Sequence, residues 1–214
     1  SGVTGMRIKD VQSGAIEVME IDEGHMVLGL KAAGMRIPYI PTRVGLGTDV
    51  LKHNNGIKLI DSPYDSKEWL AMPAINLDVA LLHVDRADSR GVCQIAGPDI
   101  YMDDLFARAA TNTYVSCDEL VESSSFESAD AARLVFWERS ETTGVVHMPG
   151  GAHPTSCAPL YGFDVKHFKE YVASSKEEGG WDEYLQKYVQ CTEQEYLEKV
   201  GGMEAIKRLP LPVF

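Results

Sequence analysis

The chain has few cysteines, no long apolar run and no excess of basic residues, and each shortage removes a class of function. Cys93, Cys117, Cys157 and Cys191 are its four cysteines, widely spaced and with no C-x-x-C pair. With no export signal, that pattern predicts reduced thiols and no disulfide framework. No helix start or basic cluster stands beside them to lower a thiol pKa, so no nucleophilic cysteine is expected.

The longest apolar stretches, such as Val79–Val84 with His83 inside, fall far short of the roughly 20 residues a membrane-spanning helix needs. Ser1–Asp10 has neither an apolar core nor a cleavage signature, so no secretory signal is expected and a cytoplasmic protein is. Net charge is −12, from 32 acidic and 20 basic residues. A nucleic-acid partner needs a basic footprint to displace counterions, and an anionic membrane surface needs the same, so neither partner is expected. A phosphorylated molecule is still allowed, because one local cluster of cations or backbone N–H groups can hold it. No histidine pair stands at metal-ligand spacing, so no metal is expected.

Hydrophobic residues make up 44% and charged residues 24% of the 214 residues, ordinary values for one soluble α/β domain. No internal repeat is present. Ala15–Ile21 alternates apolar and polar positions and reads as a half-buried strand. Glu23–Ala33 reads as a helix stopped by Gly34, and Ile37–Gly47, with two prolines and two glycines, as an extended segment entering a tight loop. Ile57–Ile60, Val79–Val84, Val92–Ala96, Tyr114–Cys117 and Val145–Met148 read as strands, with Val79–Val84 the central buried one. Met102–Ala110 reads as a helix between strands, and Glu122–Asp130 as a serine-rich surface loop. The last fifty residues change to helix: Asp164 caps one through Ser174, and Trp181–Val189 makes another. Thr192-Glu193-Gln194-Glu195 is a capping box that opens a third helix, ended by Gly201. Leu209-Pro210-Leu211-Pro212 cannot be regular helix. Strand–helix alternation predicts a layered α/β domain with a mainly parallel sheet and a helical C-terminal segment.

Three segments carry a resemblance: P-Y-I-P-T-R-V-G-L-G-T-D-V (38–50), L-D-V-A-L-L-H-V-D-R-A-D-S-R-G (77–91) and V-V-H-M-P-G-G-A-H-P-T-S-C-A-P-L-Y-G-F-D (145–164). In order and spacing they resemble the α subunit of family I CoA-transferases, the glutaconate CoA-transferase type being the nearest branch named for its activity. G-G-A-H-P-T-S followed by Y-G-x-D is the most specific element. Ser13–Leu30, Gly180-Trp181 and Tyr188…Thr192-Glu193…Tyr196 are also similar to the α subunits of a steroid-degradation hydrolase that opens a ring in a CoA-linked intermediate. The family favours asparagine where Val92 stands, and its members begin with a further strand–helix region. The resemblance therefore implies residues 1–214 as a single α-subunit domain lacking that region. It also implies a coenzyme A thioester as substrate with no permanently bound cofactor, acyl-CoA and carboxylic acid substrates, and, as partner, a homologous β subunit.

CoA transfer needs a carboxylate that attacks the thioester and N–H donors for the oxyanion. In most family members that glutamate lies in the β subunit. The hydrolase subgroup points instead to the α subunit, where Glu23 stands at a strand end and helix start, a place where α/β folds gather ligands. An acidic residue there is also an ordinary helix-start residue, and both readings stay open. Gly45, Leu46 and Gly47 are expected to let a thioester approach the backbone closely. Arg43 is expected to meet a carboxylate or a CoA phosphate, with pairing to Asp49 as the alternative. Gly150, Gly151 and His153 are expected to line the acyl pocket or to touch the β subunit. Thr155 and Ser156 are expected to serve the loop itself, His83 to be a satisfied core histidine, and Asp85 and Asp88 to fix the turn that follows them. Trp181, Tyr184 and Tyr188 recur at helical spacing and are expected to pack. The resemblance leaves open the acyl group, and whether the reaction is transfer, hydrolysis or one half of a shared site.

Overall fold

The computed structural model describes residues 11–16, 18–98, 100–176 and 178–211. Helix α1 (Glu23–Gly34) starts where Asp22 Oδ1 accepts the His25 backbone N–H at 2.8 Å. Glu23 in its first turn and Lys31 in its last suit the helix dipole. Gly34 is the last helical residue, and the left-handed turn that stops the chain falls at Arg36 (φ 59°).

Two sheets follow. The first is antiparallel, in the order β1 (Tyr39–Thr42), β3 (Glu68–Pro73), β2 (Lys58–Asp61). Its central strand alternates, sending Leu70 and Met72 into a core shared with Ile57, Leu28 and Leu46. The second has the order β5 (Cys93–Gln94), β4 (Leu77–Ala87), β6 (Ala110–Leu120), β7 (Gly144–His147). The β4–β6 and β6–β7 pairings are parallel and β5 runs antiparallel. The expected parallel sheet is this one, while the separate antiparallel sheet is not foreseen by the strand–helix alternation.

Helix α2 (Asp103–Ala109) carries the chain from β5 back to β6 and packs on α1 through Leu30, Ala33 and Ala109. Val84, Val115, Cys117 and Trp137 form the core on one face of the parallel sheet. On the other face Val79, Leu81, Tyr114 and Val146 are 49%, 78%, 47% and 51% exposed, while Asp85 and Asp118 are covered. So only part of Val79–Val84 is buried, although the run is apolar throughout except for His83.

The strand expected at Ala15–Ile21 is not formed. Glu17 lies outside the described residues, and the rest belongs to no strand. The carbonyl of Glu20 accepts from Asn54 Nδ2 at 3.0 Å, so a side chain holds this segment and not a ladder. Alternation becomes a strand only where a neighbouring strand offers its backbone.

The helical C-terminus is as expected. Asp164 Oδ1 caps α3 (Val165–Ser174) through His167 N at 2.9 Å. Helix α4 (Gly180–Tyr184) continues into a wider turn over Leu185–Val189. Thr192 and Glu195 close the capping box of α5 (Glu193–Val200), which Gly201 ends at φ 93°, and α6 (Met203–Lys207) follows. Trp181 stacks on Tyr184, and Tyr184 tilts against Tyr188, the packing that their spacing predicts. In the tail, Leu209–Leu211 is not helical and Pro212 lies outside the described residues.

Candidate functional site

Glu23 is exposed, at the first position of α1. Two residues on, His25 is fully buried and works as a peg. A carbonyl only accepts, so His25 Nε2 donates to Val44 O at 2.9 Å. Its Nδ1 lies 3.0 Å from Asp22 Oδ1, within ion-pair reach but out of hydrogen-bond alignment. The loop on this peg is two successive tight turns, with Leu46 N–H donating to Arg43 O and Thr48 N–H to Gly45 O, both at 3.1 Å. Gly45 and Gly47 both need left-handed backbone, at φ 80° and 79°. Leu46 is half-buried against the core of the antiparallel sheet. Glu23 and the Arg43–Thr48 loop therefore meet at His25. Arg43 is exposed, and Asp49 pairs with Lys52 at 2.6 Å instead of with Arg43.

The other predicted loop sits elsewhere, over β4 and β6 and against the C-terminal helices. Gly150 N–H donates to Asp118 Oδ1 at 2.8 Å. Asp118 Oδ2 lies 2.7 Å from His83 Nε2 and accepts from Tyr161 OH at 3.1 Å. Tyr161 OH in turn accepts from Ala152 N–H at 3.1 Å. Burial alone would push the Asp118 carboxyl up, but hydrogen bonds from His83, Gly150 and Tyr161 hold it below its ordinary value. His153 is buried between Tyr196 OH (2.6 Å from Nδ1) and Asp164 Oδ2 (3.2 Å from Nε2). Its pKa is lowered by burial, against the pull of Asp164. The Y-G-x-D signature is thereby explained. Tyr161 and Asp164 hold the loop from below, and any side chain at Gly162 would collide with the Pro210 backbone.

His83 is satisfied as expected, with Nδ1 at 2.8 Å from Ser116 Oγ and Nε2 on Asp118. Asp88 fixes its turn by accepting from Arg90 N and Val92 N, both at 2.9 Å. Val92 thus serves through its backbone, and the turn needs no asparagine side chain there. Asp85 does something else: its Oδ2 accepts from Ala96 N at 2.8 Å, beyond β5. Sequence reading missed Ser116, Asp118 and Tyr196, because they lie 33 to 43 residues from their histidine partners.

Among the described residues, two clusters have metal-ligand chemistry: His83–Asp118–Cys157 and His153–Asp164–His167, the donor atoms of each within 4.8 Å. Their residues come from separate elements, which chain spacing could not show. Both nitrogens of His83 and of His153 are already engaged within the protein, and His167 Nε2 lies 2.7 Å from Tyr184 OH. Both clusters are therefore satisfied as hydrogen-bond networks. Burial pushes the Cys93 thiol up to about 12 and Cys157 up as well, which keeps both thiols inert.

The sequence model of the coenzyme A transferase family matches residues 4–131. The chain is 35% identical over 199 residues to the cholesterol ring-cleaving hydrolase IpdA subunit of Mycobacterium tuberculosis, covering 90% of this chain and 68% of that protein. It is 26% identical over 233 residues to a glutaconate CoA-transferase subunit of Acidaminococcus fermentans, covering 99% of this chain and 72% of that one. In fold it is similar to the crystal structure of glutaconate coenzyme A-transferase from Acidaminococcus fermentans. That match has a TM-score of 0.84 at 23% identity and covers 95% of this chain and 69% of the other.

Proposed function

The chain belongs to the coenzyme A transferase family, and from that premise we propose that it is the α subunit of a CoA-transferase moving CoA between carboxylic acids. A homologous β subunit is its partner, and a CoA thioester is substrate and not a resident cofactor. One observation carries the reading: His25 pins the Gly45–Gly47 turn against the helix start that presents Glu23.

In this reading the Glu23 carboxylate attacks the thioester carbonyl and expels the CoA thiolate, leaving a mixed anhydride. The thiolate then attacks the glutamyl carbonyl, releases the first carboxylate and leaves a glutamyl thioester. The second carboxylate runs the same steps in reverse and leaves as the new CoA ester. Space around Gly47 is open, and a side chain there would meet nothing within 4 Å, so a thioester can approach the backbone. Exposed Arg43 takes a carboxylate or CoA phosphate. Gly150, Gly151 and His153 form a wall of the acyl pocket or a contact to the β subunit. They do not act as an oxyanion hole, since the Gly150 N–H is committed to Asp118.

A second reading is favoured by identity: the hydrolase-named relative is 35% identical, the transferase-named one 26%. Glu23 would then act as base or nucleophile in opening a ring of a CoA-linked substrate. The experiment uses a competent CoA ester with the complex of this chain and its β partner. Glu23→Gln should fold, bind the ester and lose turnover by about 10³-fold or more, because a reacting group is removed. Borohydride should trap a glutamyl thioester in a transferase and none in a hydrolase that uses Glu23 as base. Near wild-type turnover of Glu23→Gln refutes the assignment.

A further inference from the structure

A cleft of about 230 Å³ opens above the upper half of β4, away from the Arg43–Thr48 turn. Its floor is Leu81, Leu82, His83 and Asp85, and its sides are the Gly97–Pro98 bend and the Thr155–Ala158 segment, with Asp103 at one end. Asp85 is only 3% exposed. Its Oδ2 accepts the Ala96 N–H, but its buried Oδ1 meets no hydrogen-bond partner among the described residues. A buried carboxylate oxygen without a partner is costly, and such groups in folded proteins point to something that completes them.

Chemistry narrows what that is. Among the described residues no lysine or arginine lines the cleft, while two carboxyls do. A phosphate or carboxylate is therefore repelled. His83 gives no help, since both its nitrogens are engaged by Ser116 and Asp118. Leu81, Leu82 and Ile95 make the remaining wall apolar. The volume lies below the roughly 300 Å³ at which sites for drug-sized ligands begin, so the cleft holds an arm and not a whole cofactor. Burial raises both carboxyls, Asp85 against the Ala96 hydrogen bond and Asp103 to about 6 with Asp104 beside it, and a donor on Asp85 Oδ1 would favour its ionised form.

We propose that this cleft is a binding subsite for a small apolar arm carrying an N–H or O–H donor, which Asp85 Oδ1 accepts. Two parts of a CoA thioester offer that chemistry: the amide and hydroxyl groups of the pantetheine arm, and a hydroxyl on the acyl chain. The choice between these sources rests on the CoA-thioester reading above, whereas the need for a donor rests on Asp85 alone.

The test is an NMR titration of the isotope-labelled 214-residue chain with two neutral probes, pantetheine and methyl 3-hydroxybutyrate. Saturable shifts at Leu81, Asp85, Gly97 and Ala158 are expected for at least one. Pantetheine alone would assign the cleft to the cofactor arm, and the ester alone to a hydroxylated acyl chain. Asp85→Asn can still accept from Ala96 while turning an NH₂ donor into the cleft, so the bound probe should weaken at least about ten-fold. Ser156→Trp, at the exposed rim, should close the mouth without touching the core and abolish the shifts. Failure of both probes to shift the cleft residues overturns the proposal. So does binding that survives Asp85→Asn, or that survives Ser156→Trp. The titration needs neither turnover nor the β partner, so it can fail while the Glu23 assignment stands, and the reverse holds too.

Discussion

Gly45 lies so close to the ring of His25 that a Cβ on residue 45 would stand 2.7 Å from Cε1 and 3.0 Å from Nε2. The ring cannot retreat, because it is fully buried and bonded to the carbonyl of the neighbouring Val44. This single contact sets where the glycine turn lies relative to the start of α1.

The two glycines of that turn separate backbone strain from steric exclusion. Gly47→Ala suffers only the left-handed conformation and should cost about 1 kcal/mol. Gly45→Ala adds a collision with the buried imidazole and should cost about 2–4 kcal/mol. Urea unfolding of the two variants checks this, and equal losses would mean the His25 contact carries no weight.

Tyr161→Phe tests the network beneath the Gly150 loop. Its hydroxyl donates to Asp118 and accepts from Ala152 N–H, and the ring is 1% exposed. Removing it strands the Ala152 N–H and takes one donor from Asp118, which keeps His83 and the Gly150 N–H, so a loss of about 1–3 kcal/mol is expected with the fold intact. Hydrogen exchange should quicken at the Ala152 amide before it does in β6.

Asp103 makes stability depend on pH in a direction opposite to that of most carboxylates. Its folded pKa, about 6, lies above the ordinary value of 3.8, so between those values the folded state holds more protons. Stability therefore falls as pH rises from about 4 to 6, and stays lower above that. Discounted for its partial exposure, the effect is about 1 kcal/mol, or about 2–4 °C in Tm. Asp103→Asn should melt higher than the parent at pH 7.5 and match it at pH 4.

His153 works the other way. Burial lowers its pKa, so below 6.5 the unfolded chain binds the proton more readily and stability falls with acid. His167, its ring 5.3 Å away, is lowered for the same reason. The tyrosine cluster of the C-terminal helices should therefore lose its near-ultraviolet circular dichroism on acidification below pH 6.5. His153→Gln should move that loss to lower pH, and an unchanged midpoint would remove His153 as the cause.

Much of this was readable along the chain because it is local. Helix starts at Asp22, Asp164 and Thr192 each rest on a side chain reaching an N–H three residues on, so neighbouring letters suffice to find them. The positive-φ turn at Gly45 and Gly47 and the stop at Gly201 are likewise set by the absence of a Cβ. The parallel order of β4, β6 and β7 follows from strands separated by crossover segments.

What the sequence alone determined, then, is where α1, α3 and α5 begin, which turns need glycine, and which segments carry the family's signature. Only the tertiary structure decided that Ala15–Ile21 finds no strand to pair with, and that a separate antiparallel sheet forms through β3. It also decided that His83 is met by Ser116 and Asp118, and that Asp85 Oδ1 has no hydrogen-bond partner among the described residues. The physical reason is range. A cap or a turn is settled within about four residues, whereas a ladder partner, a buried hydrogen bond or a cleft is settled by segments that meet only after folding.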